Sequence, residues 1–149
     1  MRQLIRRRFN LKSERGAALV EFALVVPFLM LIMCATIDFG LAVYTLNNLT
    51  AAVREGGRFA SSRIPAPAAN DIAVQNRVYN YISQMNNNGM TQAQVRATIT
   101  NTAMDANGNI TVKITGYKYK PFTPLAPLLN LGVINLNRTA IFRSEMAPG

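Results

Sequence analysis

The chain has 149 residues, of which 50% are apolar and only 15% are charged, and its formal net charge is +9. It holds no histidine and a single cysteine, Cys34, which excludes a His-based catalytic triad, a Cys/His zinc site and an internal disulfide. The basic excess is concentrated at the N-terminus, because residues 1–16 hold six basic residues and one acidic residue. The total charge is therefore a weak indication of a nucleic-acid partner.

The first predicted element is a long apolar helix. Residues 22–37 are uncharged, and Glu21 and Asp38 are the acidic residues at their two ends. A helix of about 20 apolar residues crosses the roughly 30 Å core of a bilayer, and residues 17–36 supply that length. A buried helix of a soluble protein is the alternative, whereas the apolar core of a cleavable secretory signal is shorter. The lone cysteine lies in this stretch, where we expect a buried small hydrophobic side chain with no further role.

The charge around the predicted span sets its orientation. Lysine and arginine are retained on the cytoplasmic side of a membrane. Residues 1–16 therefore form a basic cytoplasmic leader, and the part after the span is exported, in spite of three arginines that follow it. The basic residues of the leader are Arg2, Arg6, Arg7, Arg8, Lys12 and Arg15.

A short motif marks the beginning of the span. Residues 15–22 read RGAALVEF, with a glycine after the basic leader and a glutamate five residues later. This resembles a type IV prepilin processing site. The resemblance implies that prepilin peptidase, a membrane aspartyl peptidase, cuts after Gly16, so that Ala17 becomes the new N-terminus and Glu21 its fifth residue.

The position of Glu21 has a physical reason. It lies one helical turn, about 6 Å, from Ala17, where the helix dipole and a new α-ammonium group both favour a negative charge. A carboxylate inside a membrane is costly unless it is paired, which indicates a role. The resemblance implies that Glu21, followed by Phe22, neutralises the N-terminal amine of a neighbouring subunit. The alternative is that Glu21 lies among the lipid headgroups without a role.

Further residues of the predicted helix form a recognisable set: Glu21-Phe22, Pro27, Asp38-Phe39-Gly40 and residues 48–60. They resemble the TadE-like family of pilin-like proteins from tight-adherence (Tad/Flp) pilus systems. The resemblance covers residues 16–62 and returns weakly in residues 119–125 and 139–145, and TadF- and TadG-like relatives share parts of it. It implies a minor pilin-like subunit of the bacterial inner membrane, processed by prepilin peptidase and engaged with other pilus-assembly subunits. The major Flp pilin ends soon after its apolar helix, so the long exported part favours a minor subunit.

Two positions within the helix leave alternatives open. Pro27 lacks an N–H group and leaves the carbonyl of Ala23 without its intrahelical donor, which predicts a kink or local melting. Such a bend is either functional or simply tolerated. Asp38 lies roughly 31 Å beyond Ala17 along a straight helix, at the outer membrane boundary. There it is either solvated or pairs with a basic residue of another subunit.

Beyond the bilayer the helix is predicted to continue and to pack on the exported domain. Apolar and small residues recur at spacings of three and four on one face, and the glycines among them allow close approach of another element. Gly56-Gly57 also weakens the helix, which is one place for it to end. The residues of this stripe are Val43, Leu46, Leu49 or Thr50, Val53, Gly57 and Ala60.

Charged residues occupy other positions of the same segment. Glu55 and Arg58 are spaced i,i+3 and can pair on an exposed face. Arg54, Glu55 and Arg58 are either solvated or form a contact with another subunit. We expect this helical part to cover residues 17–62 and to be followed by a proline-rich linker over residues 63–70.

The exported domain, residues 71–149, is predicted to be α+β, a small antiparallel sheet with a helix on one face. Asp71 is expected to cap a helix that ends near Met85 and carries Ile72, Val78, Ile82 and Met85 on one side. The later elements follow from alternation and from turn residues. They are a break at residues 86–89, strands at 95–100 and 110–115 joined by a turn at 105–109, a short apolar turn at 125–131, and a last strand at 136–145.

The remaining motifs indicate no enzyme. Tyr117 and Tyr119 alternate with Lys118 and Lys120, superficially like a nucleic-acid platform, but strand alternation favours packing of the two tyrosines on a core. No phosphate-binding loop, acidic pair or metal cluster appears in the sequence. We therefore expect a structural protein without cofactor, metal, nucleic acid or small-molecule substrate. The alternative is an uncleaved signal-anchored envelope protein whose exported domain binds a ligand or partner.

Overall fold

The computed structural model describes residues 11–85, 89–123, 130 and 132–144, with side chains from residue 16 onward. The predicted fold class is confirmed, because a long N-terminal helix is followed by a small α+β part with an antiparallel sheet. In chain order the elements are α1 (Leu11–Ser61), α2 (Ile72–Ile82), α3 (Gln92–Ala97), β1 (Ile99–Asn101), β2 (Asn109–Tyr119) and β3 (Ile134–Arg143).

Helix α1 is continuous over 51 residues. It passes through Pro27 without local melting, and a bend of its axis there stays a prediction. It also continues past Gly56-Gly57 to Ser61. The glycine pair does not end the helix because the neighbouring elements pack against it on both sides, which outweighs about 1 kcal/mol per glycine of unfavourable helix propensity.

The N-terminal part of α1 stands free of the other elements that the structure describes. Leu19, Phe22 and Ile32 are 60–68% exposed, and the most apolar stretch of the helix has a mean hydropathy of 2.5 with no residue buried. This exposure is the opposite of what a buried core helix would show. One apolar helix of spanning length near the N-terminus suggests a membrane-anchored, single-pass protein. Cys34 is half-buried on this helix, not fully buried as the sequence suggested.

The sheet is antiparallel, with the strand order β1-β2-β3. The predicted turn at residues 105–109 joins β1 to β2, and the Asp105 carboxylate accepts hydrogen bonds from the N–H groups of Asn107 and Asn109. The register between β2 and β3 shifts between Ile114 and Tyr117. Gly116 lies in this bulge at φ 73°, and its N–H donates to Asn137 Oδ1 at 2.7 Å.

The core lies between the C-terminal part of α1, helix α2 and one face of the sheet. The predicted stripe of α1 is confirmed from Leu49 to Ala60, whereas Val43 remains 37% exposed. Tyr117 and Tyr119 are buried while Lys118 and Lys120 are exposed, so the packing interpretation of this strand is confirmed. The buried side chains of the core include Leu49, Val53, Val74, Val78, Ile82, Val95, Ile99, Ile110, Val112, Ile114 and Tyr117.

Sequence predictions for the α+β part are wrong in detail at helix α3 and on the buried face of α2. A strand was predicted over residues 95–100, but α3 occupies Gln92–Ala97 and β1 begins only at Ile99. Helix α3 begins at a capping box in which Thr91 accepts from the Gln94 N–H and the Gln94 side chain accepts from the Thr91 N–H. On α2, Ile72 is 70% exposed and does not share the buried face, which is formed by residues such as Val74 and Val78.

The predicted N-cap of α2 is present. The Asp71 side chain accepts from the N–H groups of Ala73 and Val74. Helix α2 ends at Ile82, before the predicted end near Met85, and β3 begins at Ile134 instead of 136. Residues 86–88 of the predicted break, 125–129 and 131 of the predicted turn, and the predicted strand end at Glu145 lie outside the described residues.

Candidate functional site

The predicted processing and pairing residues lie together at the membrane end of α1. Gly16, Ala17, Glu21 and Phe22 are all exposed. A Cβ atom on Gly16 would have no neighbour within 4 Å, and Glu21 forms no ion pair with any side chain that the structure describes. Within the described part of the chain, nothing covers this segment, and it is open to an enzyme or to another subunit.

The peptide bond between Gly16 and Ala17 lies inside α1 and not before it, since the helix begins at Leu11. A helical backbone has its carbonyl and N–H groups engaged in the helix, so a peptidase needs the local turn to open. Gly16 makes that opening easier, because glycine is about 1 kcal/mol less favourable than alanine in a helix interior. The glycine thus combines an uncrowded backbone with a locally weak helix.

Asp38 makes contacts within the chain that the sequence did not predict, while its solvation and a contact with another subunit stay predictions. Its carboxylate holds the segment after β2, which is 85 residues away in the chain. Asp38 Oδ1 accepts from the N–H groups of Phe122 at 2.9 Å and Thr123 at 3.1 Å. Asp38 Oδ2 accepts from the Thr123 hydroxyl in a short hydrogen bond. The residue therefore acts within its own chain, as the anchor of this segment on α1.

A fourth hydrogen bond connects the same two elements. The Tyr119 hydroxyl donates to the backbone carbonyl of Asp38 at 3.0 Å, an oxygen on the surface of the helix. Burial raises the pKa of the Tyr119 hydroxyl, and the negative charge of Asp38 raises it further. A tyrosine hydroxyl is protonated at neutral pH even at its ordinary pKa, and both effects extend the range in which it can donate toward higher pH.

The predicted pair between Glu55 and Arg58 does not form. Glu55 Oε1 instead accepts from Arg77 of α2, at 2.6 Å from Nη2 and 3.0 Å from Nε. Arg54 and Arg58 are exposed and form no ion pair with the described side chains. Of the three charged residues in this segment, Glu55 therefore contacts its own chain. Arg54 and Arg58 form an exposed basic ridge on α1.

A second ion pair connects the linker to the N-terminus of α2. Arg63 Nη1 lies 2.9 Å from Asp71 Oδ2, and the guanidinium groups of Arg63 and Arg77 both lie within about 6 Å of the centre of the Phe59 ring. These contacts, with the Glu55–Arg77 pair, attach α2 to the end of α1. The linker itself is held to β1, because Asn101 Nδ2 donates to the Ala68 carbonyl at 2.8 Å.

The glycine pair of α1 is a place of close approach between elements, as the sequence predicted. A Cβ atom on Gly56 would overlap Cγ2 of Val78 in α2, and one on Gly57 would overlap the ring of Phe142 in β3. Two adjacent glycines thus let α1 lie against a helix on one side and a strand on the other. The sequence identified the glycines, but it gave no sign of which residues would meet them.

Comparisons with known proteins give one match. Neither the curated proteins nor the solved structures contain a match to this chain. Residues 16–58, which form most of α1 and include the membrane-end residues, match the family model described as TadE-like protein. The resemblance to the TadE-like family is therefore confirmed over residues 16–58, and this family suggests involvement in Tad pilus assembly.

Proposed function

We propose that the chain is a minor pilin-like subunit that takes part in Tad pilus assembly. In this proposal it has a structural role through contacts with other subunits and is not an enzyme. The observation that carries this proposal is that the residues matched by the family model include the apolar part of α1, in which no residue is buried. In the proposed orientation the leader is cytoplasmic, α1 crosses the inner membrane once, and the α+β domain is exported.

Prepilin peptidase removes the leader after Gly16 in this proposal. The exposure of the segment and the weak local helix at Gly16 support it. Cleavage leaves Ala17 as a new helix terminus, and the basic leader, which retains the N-terminus in the cytoplasm, is lost. The mature chain then lacks the positive charges that held its N-terminus on the cytoplasmic side of the membrane.

Glu21 supplies the charge that the assembly needs. It lies one turn from Ala17 and has no ion-pair partner among the described side chains. A carboxylate in the membrane is stabilised by an opposite charge, and the new amine of Ala17 in a neighbouring subunit carries one. In this proposal Phe22 and the exposed apolar side chains that follow it pack against the neighbour's helix.

Arg54 and Arg58 form the proposed contact outside the membrane. They lie one turn apart on the exposed face of α1, and the nearby acidic residue, Glu55, is engaged by Arg77. The basic ridge is therefore available to acidic residues of another pilus-assembly subunit.

The test is N-terminal sequencing and intact mass of the membrane-extracted full chain, made with and without its prepilin peptidase. We expect Ala17 as the N-terminus only when the peptidase is present. Gly16→Leu should block processing. Gly40→Leu is the matched control, because Gly40 lies in the same helix with nothing within 4 Å of its Cβ position, and it should be processed normally.

The opposite result has a clear meaning. An intact Met1 in the presence of the active peptidase would contradict the proposal and favour an uncleaved, signal-anchored protein whose exported domain binds a partner. If processing occurs, Glu21→Gln should still be cleaved but should no longer co-purify with the other pilus-assembly subunits. Loss of both cleavage and co-purification in Glu21→Gln would contradict the separate role given to Glu21.

A further inference from the structure

The hydrogen bonds to Asp38 fix the height of one exported segment relative to the membrane. Asp38 lies roughly 31 Å along α1 from Ala17, which is the thickness of a bilayer core of about 30 Å. The backbone of Phe122 and Thr123 is bound directly to the Asp38 carboxylate. Residues 119–123, the rim segment, therefore lie at the level where the span leaves the hydrocarbon.

The side chains at this level have the composition of a membrane interface. Phe122 is 82% exposed, Phe39 is 73% exposed and Tyr44 is 61% exposed, while the exposed Lys120 lines the same groove as Tyr44 and Phe122. Tyr44 lies about 9 Å beyond Asp38 along α1, close to the outer edge of the headgroup layer. Aromatic rings with a nearby lysine are enriched where proteins cross this layer.

The rim segment and α1 also line an open groove of about 380 Å³. Its walls are mostly apolar, and Phe122 and Lys120 of the rim segment contribute to them. The groove is continuous with the exposed apolar surface of α1 below it, since Leu41 and Tyr44 lie about one and two helical turns beyond the exposed Ile37. Its lining includes Leu41, Tyr44, Met85, Tyr119, Lys120 and Phe122.

We propose that the rim segment is a second membrane contact, in which Phe122 inserts among the phospholipid headgroups and Lys120 faces their phosphates. This proposal rests on the proposed membrane span of α1. The bilayer is favoured as the partner because the surface lies at the level where the span ends and continues the apolar face of α1. Two contacts at one level, the helix and the rim segment, would hold the exported domain in a fixed orientation on the membrane.

Single-tryptophan variants test the contact, because the native chain holds no tryptophan. The full chain with Phe122→Trp is reconstituted in phosphatidylcholine vesicles that contain phosphatidylglycerol and lipids brominated either near the headgroup or near the end of the acyl chain. We expect a blue-shifted emission that is quenched most by bromines near the headgroup. Both orientations of the reconstituted chain give the same result, since each leaflet holds the same lipids.

Two matched variants complete the experiment. Ile141→Trp also replaces an exposed apolar residue, 66% exposed, but it lies beside Phe142 over Gly57, which is about 28 Å beyond Asp38 along α1. We expect no quenching of this variant. Phe28→Trp, in the span, should be quenched most by bromines near the end of the acyl chain.

The outcomes separate the two proposals. Quenching of Phe28→Trp without quenching of Phe122→Trp would overturn the membrane contact and leave the span intact, which would favour another subunit as the partner of this surface. Equal quenching of Phe122→Trp and Ile141→Trp would overturn the membrane contact as well, because the quenching would then not be specific to the rim segment. Absence of quenching in Phe28→Trp would overturn the span and the contact together.

Discussion

Phe142 of β3 lies directly over Gly57 of α1, in the space that the side chain of any other residue at position 57 would fill. Gly57→Ala is therefore expected to destabilise the α+β domain. Forcing an extra methyl group into a packed core costs typically about 1–3 kcal/mol, which exceeds the gain of up to about 1 kcal/mol in helix propensity. Thermal unfolding of the full chain in detergent, followed by circular dichroism, measures the difference.

Gly40 supplies the control for this prediction. It lies in the same helix with open space around its Cβ position, so Gly40→Ala should leave the thermal midpoint unchanged or raise it. Phe142→Leu should recover part of the loss in the Gly57→Ala background, because the smaller side chain leaves room for the methyl group. A Gly57→Ala chain as stable as the native one would contradict the close approach.

Features of the fold that depend on neighbouring residues could be predicted from the sequence. The N-cap at Asp71, the turn that begins at Asp105 and the burial of Tyr117 and Tyr119 each depend on residues within a few positions of one another. Helix α3 carried such a signal in the spacing of Thr91 and Gln94, but it is short, and the alternating pattern after Val95 favoured a strand.

The contacts that determine the candidate site could not be predicted in this way. Asp38 and Thr123 are 85 residues apart, and Glu55 and Arg77 are 22 apart. A carboxylate at the end of an apolar span satisfies the same sequence pattern whether it meets water, another subunit or its own chain. Which partner it meets depends on how the elements pack, so the local pattern left it open.

The Glu55–Arg77 pair leads to a prediction of small size. The Glu55 and Arg77 side chains are 31% and 54% exposed, and exposed ion pairs contribute about 0–1 kcal/mol. Arg77→Gln should therefore lower the unfolding free energy by less than about 1 kcal/mol. Arg58→Gln should leave it unchanged, since Arg58 is exposed and the structure pairs Glu55 with Arg77.

A double-mutant cycle separates this pair from the packing of the arginine on Phe59. Glu55→Gln and Arg77→Gln should cost less together than the sum of their separate effects, measured by urea unfolding in detergent. Strict additivity would contradict the pair, and a coupling between Glu55 and Arg58 would restore the pairing that the sequence suggested.

The interactions of the Asp71 carboxylate predict that the protein loses folding stability in acid. Burial acts to raise the pKa of its carboxyl group, but the N–H groups of Ala73 and Val74 and the Arg63 guanidinium outweigh it and hold the pKa below the ordinary value of 3.8. A carboxylate with a lowered pKa contributes stability above its unfolded value and loses it as the pH falls through the folded value. The unfolding free energy should therefore decline as the pH falls below about 4.

Two substitutions isolate this contribution. Asp71→Asn keeps a good N-cap residue but has no charge to lose, so its stability should vary less with pH than that of the native chain. Asp71→Ala should lose about 1 kcal/mol at neutral pH together with the cap. Some acid dependence should remain in both variants, because hydrogen bonds from Asn109 also lower the pKa of Asp105. An unchanged pH profile in Asp71→Asn would assign the whole effect to other carboxylates.

Asp38→Ala is expected to release Phe122 and Thr123 of the rim segment from α1, while the bond from the Tyr119 hydroxyl to the backbone carbonyl at position 38 and the core stay in place. It removes the acceptor of the Phe122 and Thr123 N–H groups, and hydrogen bonds to a charged group contribute about 1.5–3 kcal/mol. Amide exchange of these two residues should accelerate about tenfold or more, whereas the amides of Ile110 and Val112 should keep their protection. Thr123→Val removes only the hydroxyl donor, so both amides can still bind Asp38 and should accelerate less. Equal exchange in the native chain and in Asp38→Ala would show that the rim segment is held by other contacts, and its height above the membrane would then no longer follow from Asp38.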